Sequence, residues 1–180
     1  MIDEDGCIRD TSLESMSKLN PVFRDNGSVT AATSSPLTDG AVCMLVCSSE
    51  FAEKNGLEPL ARIVTSAVTG CPPNMMGIGP ISSTQKALER SGWHIDDIDV
   101  FEINEAFSSQ SIAVINELSI DYQKVNIDGG AISIGHPLGA SGARIVGKAA
   151  SILKRTNSER AIATMCIGGG MGITIVLESP

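Results

Sequence analysis

Apolar positions along the chain follow two periods, one helical and one extended. Around residues 11–19, Leu13, Met16 and Leu19 share one side of a short helix. Thr11 and Glu14 form its capping box, and Pro21 ends it. Residues 27–32 read as extended, and Ser35-Pro36 opens a brief helix with Ser35 as N-cap. The unbroken apolar run from Val42 to Val46 predicts a buried strand, and Ser49 caps a helix that stops at Gly56. Beyond it the pattern predicts a strand over 60–68, a helix over 80–91 closed by Gly92, a strand over 98–103 and a helix over 106–118. Extended pieces follow at 125–127 and 131–134, then a helix over 141–155 and strands over 161–166 and 173–177 that pair as a hairpin. Strands alternating with helices indicate an α/β sheet covered on both faces, and the adjacent final strands make it mixed. Residues 1–35 form the loosest part, with a boundary near residue 58.

Composition narrows the function. The 180 residues are 42% apolar and 19% charged, enough to bury a core. A net charge of −8 argues against sequence-independent nucleic-acid binding, which needs a basic face. Anionic ligands remain possible if backbone N–H groups and a few cations hold them locally. No apolar run reaches the roughly 20 residues of a membrane span. The acidic opening Met1-Ile2-Asp3-Glu4-Asp5 reads as neither a signal nor a transit peptide, and Leu177-Glu178-Ser179-Pro180 carries no peroxisomal ending. Five cysteines without paired spacing suit a reducing compartment, hence an intracellular setting, cytoplasmic or an organelle matrix.

Three constellations can carry chemistry. In Gly129-Gly130-Ala131-Ile132-Ser133-Ile134-Gly135-His136-Pro137-Leu138-Gly139-Ala140-Ser141-Gly142, Pro137 holds His136 in extended backbone just before a helix, and the glycines leave room beside the imidazole. The alternative is a histidine that fills a strand–helix corner. In Cys166-Ile167-Gly168-Gly169-Gly170-Met171-Gly172, a strand-end thiol meets a turn able to point N–H groups at an oxyanion. Its alternative is a buried cysteine beside a flexible hairpin. Asn104-Glu105-Ala106-Phe107 sits where a strand ends and a helix opens, where ligands gather in open α/β sheets. Here the alternative is a plain helix N-cap. Gly142 to Ala149 imitates a phosphate loop but lacks its Ser or Thr and falls inside a helical pattern. Cys43 and Cys47 read as core residues without a histidine to form a metal site, His94 as a surface or lid residue, and Asp96, Asp97 and Asp99 as solvated charge.

Together, in order and spacing, these three segments resemble the thiolase family. The likeness extends through Val29-Thr30-Ala31-Ala32, Ser35-Pro36-Leu37-Thr38-Asp39-Gly40-Ala41 and Met76-Gly77-Ile78-Gly79-Pro80, and so covers essentially the whole chain. The resemblance implies a layered α-β-α domain with a mixed five-stranded sheet over 58–180, and the tail end of the N-terminal thiolase half over 1–57. It implies thiolytic cleavage of 3-ketoacyl-CoA or Claisen condensation of acetyl-CoA, with coenzyme A or acyl-CoA as substrate and no tightly bound cofactor or metal. By the same resemblance, His136 activates a nucleophilic cysteine and, with a water held by Asn104, stabilises the thioester oxyanion. Cys166 moves the α-carbon proton, the Gly168 N–H serves a second oxyanion site, and Ser35 lies along the pantetheine arm. Two departures stand out. Thr33 replaces a usual Asn, and none of Cys7, Cys43, Cys47 or Cys71 lies in the nucleophile's context. The expectation is a thiolase part that needs an N-terminal thiolase half or works in a homo-oligomer. The alternative is a non-catalytic domain that binds CoA esters or a partner.

Overall fold

The computed structural model describes residues 3–180; Met1 and Ile2, part of the acidic opening, lie outside them. Four strands form one sheet: β1 (Arg62–Gly70), β2 (Val100–Ile103), β3 (Arg160–Ile167) and β4 (Met171–Glu178). Their order is β1-β4-β3-β2. β4 runs antiparallel to both neighbours, and β2 lies parallel to β3 with Ile103 opposite Thr164. The sheet is mixed as expected, with four strands among the described residues and not five. The segment expected to be extended at 131–134 is instead a helical turn, α5 (Ala131–Ile134), and 125–127 contributes only a bridge from Val125 to Phe101.

The remaining α-helices are α1 (Leu13–Ser17), α2 (Ser49–Lys54), α3 (Gly79–Ser91), α4 (Ser108–Glu117) and α6 (Leu138–Thr156). Strand alternation divides the core into two. One face of the sheet, with Phe101, Ile103, Ile162 and Val176, packs on Ala87, Leu88, Val114 and Ile115 of α3 and α4. The other, with Val100, Ala161, Ala163 and Leu177, packs on Ile145, Val146, Ala149, Ile152 and Leu153 of α6. Alanines on both sides of that second interface let α6 lie close to the sheet. α3 approaches closer still: a β-carbon on Gly172 would meet the Gly79 carbonyl at 2.1 Å. Beneath α3 the buried hydroxyls of Ser83, Thr84, Thr164 and Thr174 hydrogen-bond at 2.7–3.1 Å, so the polar groups enclosed by this contact are satisfied.

The segment before β1 differs from its expectations. Ser35-Pro36 opens no helix; Ser34 instead makes a bridge to Phe107. The run Val42 to Val46 forms no strand and is exposed, with Leu45 at 71% and Val46 at 65%. Cys43 and Cys47 are exposed too, so they are not core residues. The run is apolar, but a strand needs neighbours for its backbone groups, and the described residues supply none here. Capping starts one residue later than expected in α1, at Ser12, whose hydroxyl accepts from the Ser15 N–H at 3.1 Å. Asp97 and Asp99 are not free charge. Asp97 accepts from the His94 N–H, and Asp99 accepts from the N–H groups of Glu159 and Arg160 at the start of β3.

Candidate active site

The C-terminal ends of the parallel pair β2 and β3 meet the start of α6, and the chemistry-bearing residues gather there. Asn104 continues β2: its N–H donates to the Thr164 carbonyl at 3.0 Å, and the residue is fully buried. α4 begins at Ser108, with Phe107 as N-cap, so Asn104 is not a helix cap. Its amide nitrogen lies 3.2 Å from His136 Nε2. The Asn104 carbonyl oxygen is buried and has no partner among the described residues. A buried acceptor costs about 1–3 kcal/mol when left unmet, so this atom marks a place for a water or a ligand hydroxyl.

His136 lies in the turn between α5 and α6. Gly135, at φ 94°, turns the chain out of α5, and a β-carbon there would collide with Thr38. Pro137 then starts α6, and Ser141 in the first turn brings its hydroxyl 2.6 Å from His136 Nδ1. The Ser141 hydroxyl donates its only proton to the Pro137 carbonyl at 3.0 Å, so it accepts from Nδ1–H. That assignment leaves a lone pair on Nε2, facing Asn104. Burial, and then the nearby Arg144 guanidinium, pull the imidazole below its ordinary pKa. The ring is therefore neutral at pH 7 and able to accept a proton at Nε2.

Cys166 lies one residue before the end of β3, two residues beyond Thr164, and is 7% exposed. Burial pushes its thiol pKa up, so at neutral pH it holds its proton. Alternation puts Cys166 on the α3 face and Asn104 toward α6. The two share the sheet's end and not a hydrogen bond. Gly168, Gly169 and Gly170 make the turn between β3 and β4. Gly169 and Gly170 have φ of 87° and 93°, and a β-carbon on Gly170 would sit 2.4 Å from the Cys71 carbonyl. Beside Gly168 a β-carbon would meet nothing within 4 Å, so its backbone is open to approach. Ser35 reaches the same region: its N–H and hydroxyl both donate to the Ala106 carbonyl, at 3.1 and 3.3 Å. Thr33 is a turn residue whose hydroxyl accepts from the Thr30 N–H and donates to the Ser28 carbonyl.

Two cavities flank this end of the sheet. One of about 330 Å³ is lined by Thr38–Val42 and Pro137–Ala140, against the residue that follows His136. The other, about 440 Å³, lies between Met75, Met76, Ile78, Phe107 and Gln110. Neither is lined by Asn104, His136 or Cys166. Sequence reasoning missed Ser141, Asn126 and Arg144 because their roles depend on helix phase and loop path. Only the placement of Ser141 one turn into the helix behind His136 was a usable signal. Among the described residues no group of three His, Cys, Asp or Glu could hold a metal ion, and no helix is long and apolar enough to cross a membrane.

Comparison with known proteins places this geometry. Residues 57–179 match the model of the thiolase C-terminal domain, and residues 1–50 match that of the thiolase N-terminal domain. The chain is 50% identical over 182 residues to the 3-ketoacyl-CoA thiolase of Idiomarina loihiensis, covering 98% of this chain and 47% of that protein. The crystal structure of the Bacillus anthracis acetyl-CoA acetyltransferase superposes with a TM-score of 0.95 at 44% identity, covering 98% of this chain and 45% of that one. Human mitochondrial 3-ketoacyl-CoA thiolase in complex with CoA superposes with a TM-score of 0.92 at 41% identity, covering 99% and 46%. The chain thus spans about half the length of the relatives it matches.

Proposed function

The chain belongs to the thiolase family, and from that premise we propose that it supplies half of an acyltransferase site acting on acyl-CoA thioesters. The observation that carries the reading is the Asn104–His136 contact at 3.2 Å, with an unmet Asn104 carbonyl oxygen beside it. Residues 58–180 act as the C-terminal thiolase domain and residues 1–57 as the closing stretch of the N-terminal one. The nucleophilic cysteine comes from a companion N-terminal half. In cleavage, His136 Nε2 takes that thiol's proton, and the thiolate attacks the 3-keto carbon of a 3-ketoacyl-CoA. His136 Nε2–H and a water on Asn104 then face the oxyanion. As the C2–C3 bond breaks, the leaving enolate of acetyl-CoA takes the Cys166 proton at carbon, while the Gly168 N–H faces the enolate oxygen. A second CoA thiol then gives its proton to the Cys166 thiolate and attacks the acyl-cysteine, and the companion's thiolate leaves and takes back the proton held on His136 Nε2. Ser35 lies along the pantetheine arm, and condensation runs the same steps in reverse.

Surface supports the companion. A monomer of 18.8 kDa exposes about 8,300 Å² by the usual size scaling, whereas this chain exposes 10882 Å². The excess has the magnitude of an obligate interface. Five free cysteines suit a reducing intracellular compartment. Mixing the chain with a nucleophile-bearing thiolase half and following acetoacetyl-CoA cleavage tests the proposal. Turnover that needs both components supports it. Acyl-CoA binding without turnover in any pairing favours a binding domain instead.

A further inference from the structure

The Asn104–His136 pair needs its two backbones held in register, and they come from segments 32 residues apart in the chain. β2 is an edge strand, so one side of Ile103 has no strand neighbour. Asn126 takes that place. At φ 44°, its side chain accepts from the Ile103 N–H and donates to the Ile103 carbonyl, both at 2.9 Å, imitating one residue of a strand. Its own N–H donates to the Phe101 carbonyl at 2.8 Å. On the other side of Asn104, the Glu105 carboxylate accepts from Asn126 Nδ2 at 2.7 Å. Its second oxygen accepts from the Ile132 N–H in α5 at 3.1 Å, four residues before His136. Gly130 makes room for this: a β-carbon there would lie 2.3–2.5 Å from the carboxylate.

The structure assigns to Glu105 and Asn126 the role of a brace that positions Asn104 against His136. This rests on reading those two as the oxyanion pair. Glu105 and Asn126 touch no substrate; they are positioning residues. Each is bonded to backbone on one side of the pair, and the bond between them closes the bridge. Glutamine at 105 breaks it, because its amide can accept from Ile132 N–H only by turning an NH₂ toward the Asn126 NH₂.

The chain contains two histidines, so imidazole ¹⁵N spectra resolve His136 from His94, which is exposed and takes no part in the brace's hydrogen bonds. The expected result is that Glu105→Gln moves the His136 Nε2 resonance the way Asn104→Ala does, by at least half as much, with His94 unchanged. Should Glu105→Gln fail to fold, Gly130→Ala decides. It keeps every hydrogen-bonding group and presses one methyl on the carboxylate, and it too should move His136 alone. An unmoved His136 in the folded variant overturns the brace. In the reconstituted enzyme Glu105→Gln should lower kcat roughly 100-fold with KM nearly unchanged, as expected of misplaced catalytic groups. The spectra need no turnover, so a failed acyl-transfer reading leaves that test standing. A silent His136 in a complex that still turns over sinks the brace alone.

Discussion

Two apolar stretches of this chain meet opposite fates. In the sheet, Ile162, Val176 and Leu177 are at most 1% exposed. In the segment before α2, Leu37, Leu45 and Val46 are 97%, 71% and 65% exposed. Hydrophobicity is the same in both; company is not. β3 and β4 have backbone partners on both sides and a helix on each face, whereas the run from Val42 to Val46 has neither. An exposed apolar run of this kind is a surface for another protein layer. On the proposed reading, the candidate site residues stand on the completed region and a companion would dock on the incomplete one.

The largest break in that contrast is chemical. If the sheet's end carries the reaction, Cys166→Ala or His136→Ala in the reconstituted enzyme should lower kcat by roughly 10²–10⁴-fold, read by thioester cleavage, without weakening the association of the halves. Next, one substitution made in both regions should act in two ways. Leu177→Ala should cost about 2–5 kcal/mol of stability by urea unfolding. Leu45→Ala should leave stability within about 0.5 kcal/mol and weaken association with the companion roughly tenfold. Equal effects in both places would erase the distinction.

A third test concerns a charge buried within the finished region. Glu102 is 1% exposed on β2. Burial raises its pKa from the ordinary 4.5 to about 7, against the lowering pull of Arg144 and Lys148. The unfolded chain releases this proton first as pH rises, so stability should fall between about pH 4.5 and 7. Glu102→Gln should remove that slope and exceed the parent in stability at pH 8 by up to about 3 kcal/mol. A slope unchanged in the variant would show that another group titrates. The smallest effect belongs to Ser141→Ala. Loss of its single hydrogen bond to Nδ1, worth about 1 kcal/mol, should reduce kcat roughly fivefold. The acid limb of the parent's pH profile should lie below the ordinary histidine value, because His136 stays neutral there.

Much of this was legible in the sequence because local rules and burial agreed. The α3 helix ends at Gly92, as its pattern requires, with φ at 72°, and the hairpin of β3 and β4 follows from two apolar runs separated by glycines. Three things were not legible. The run from Val42 to Val46 has a strand's pattern, but only a neighbour can turn that pattern into a strand. Residues 131–134 alternate too weakly to oppose the Gly130 carbonyl, which receives the Ser133 and Ile134 N–H groups and closes a helical turn. Asn126 has no local signature, because its side chain reaches a strand 23 residues earlier.

The proposed acyl transfer requires a thiol, an imidazole and an amide at one sheet end to serve the same thioester. Deuterium uptake into the acetyl methyl group of acetyl-CoA, followed by proton NMR in D₂O with the reconstituted enzyme, reads that step before any carbon–carbon bond forms. Exchange that disappears in Cys166→Ser while acylation of the companion's cysteine continues is the predicted result. Exchange that persists at the parent rate without the Cys166 thiol would contradict it.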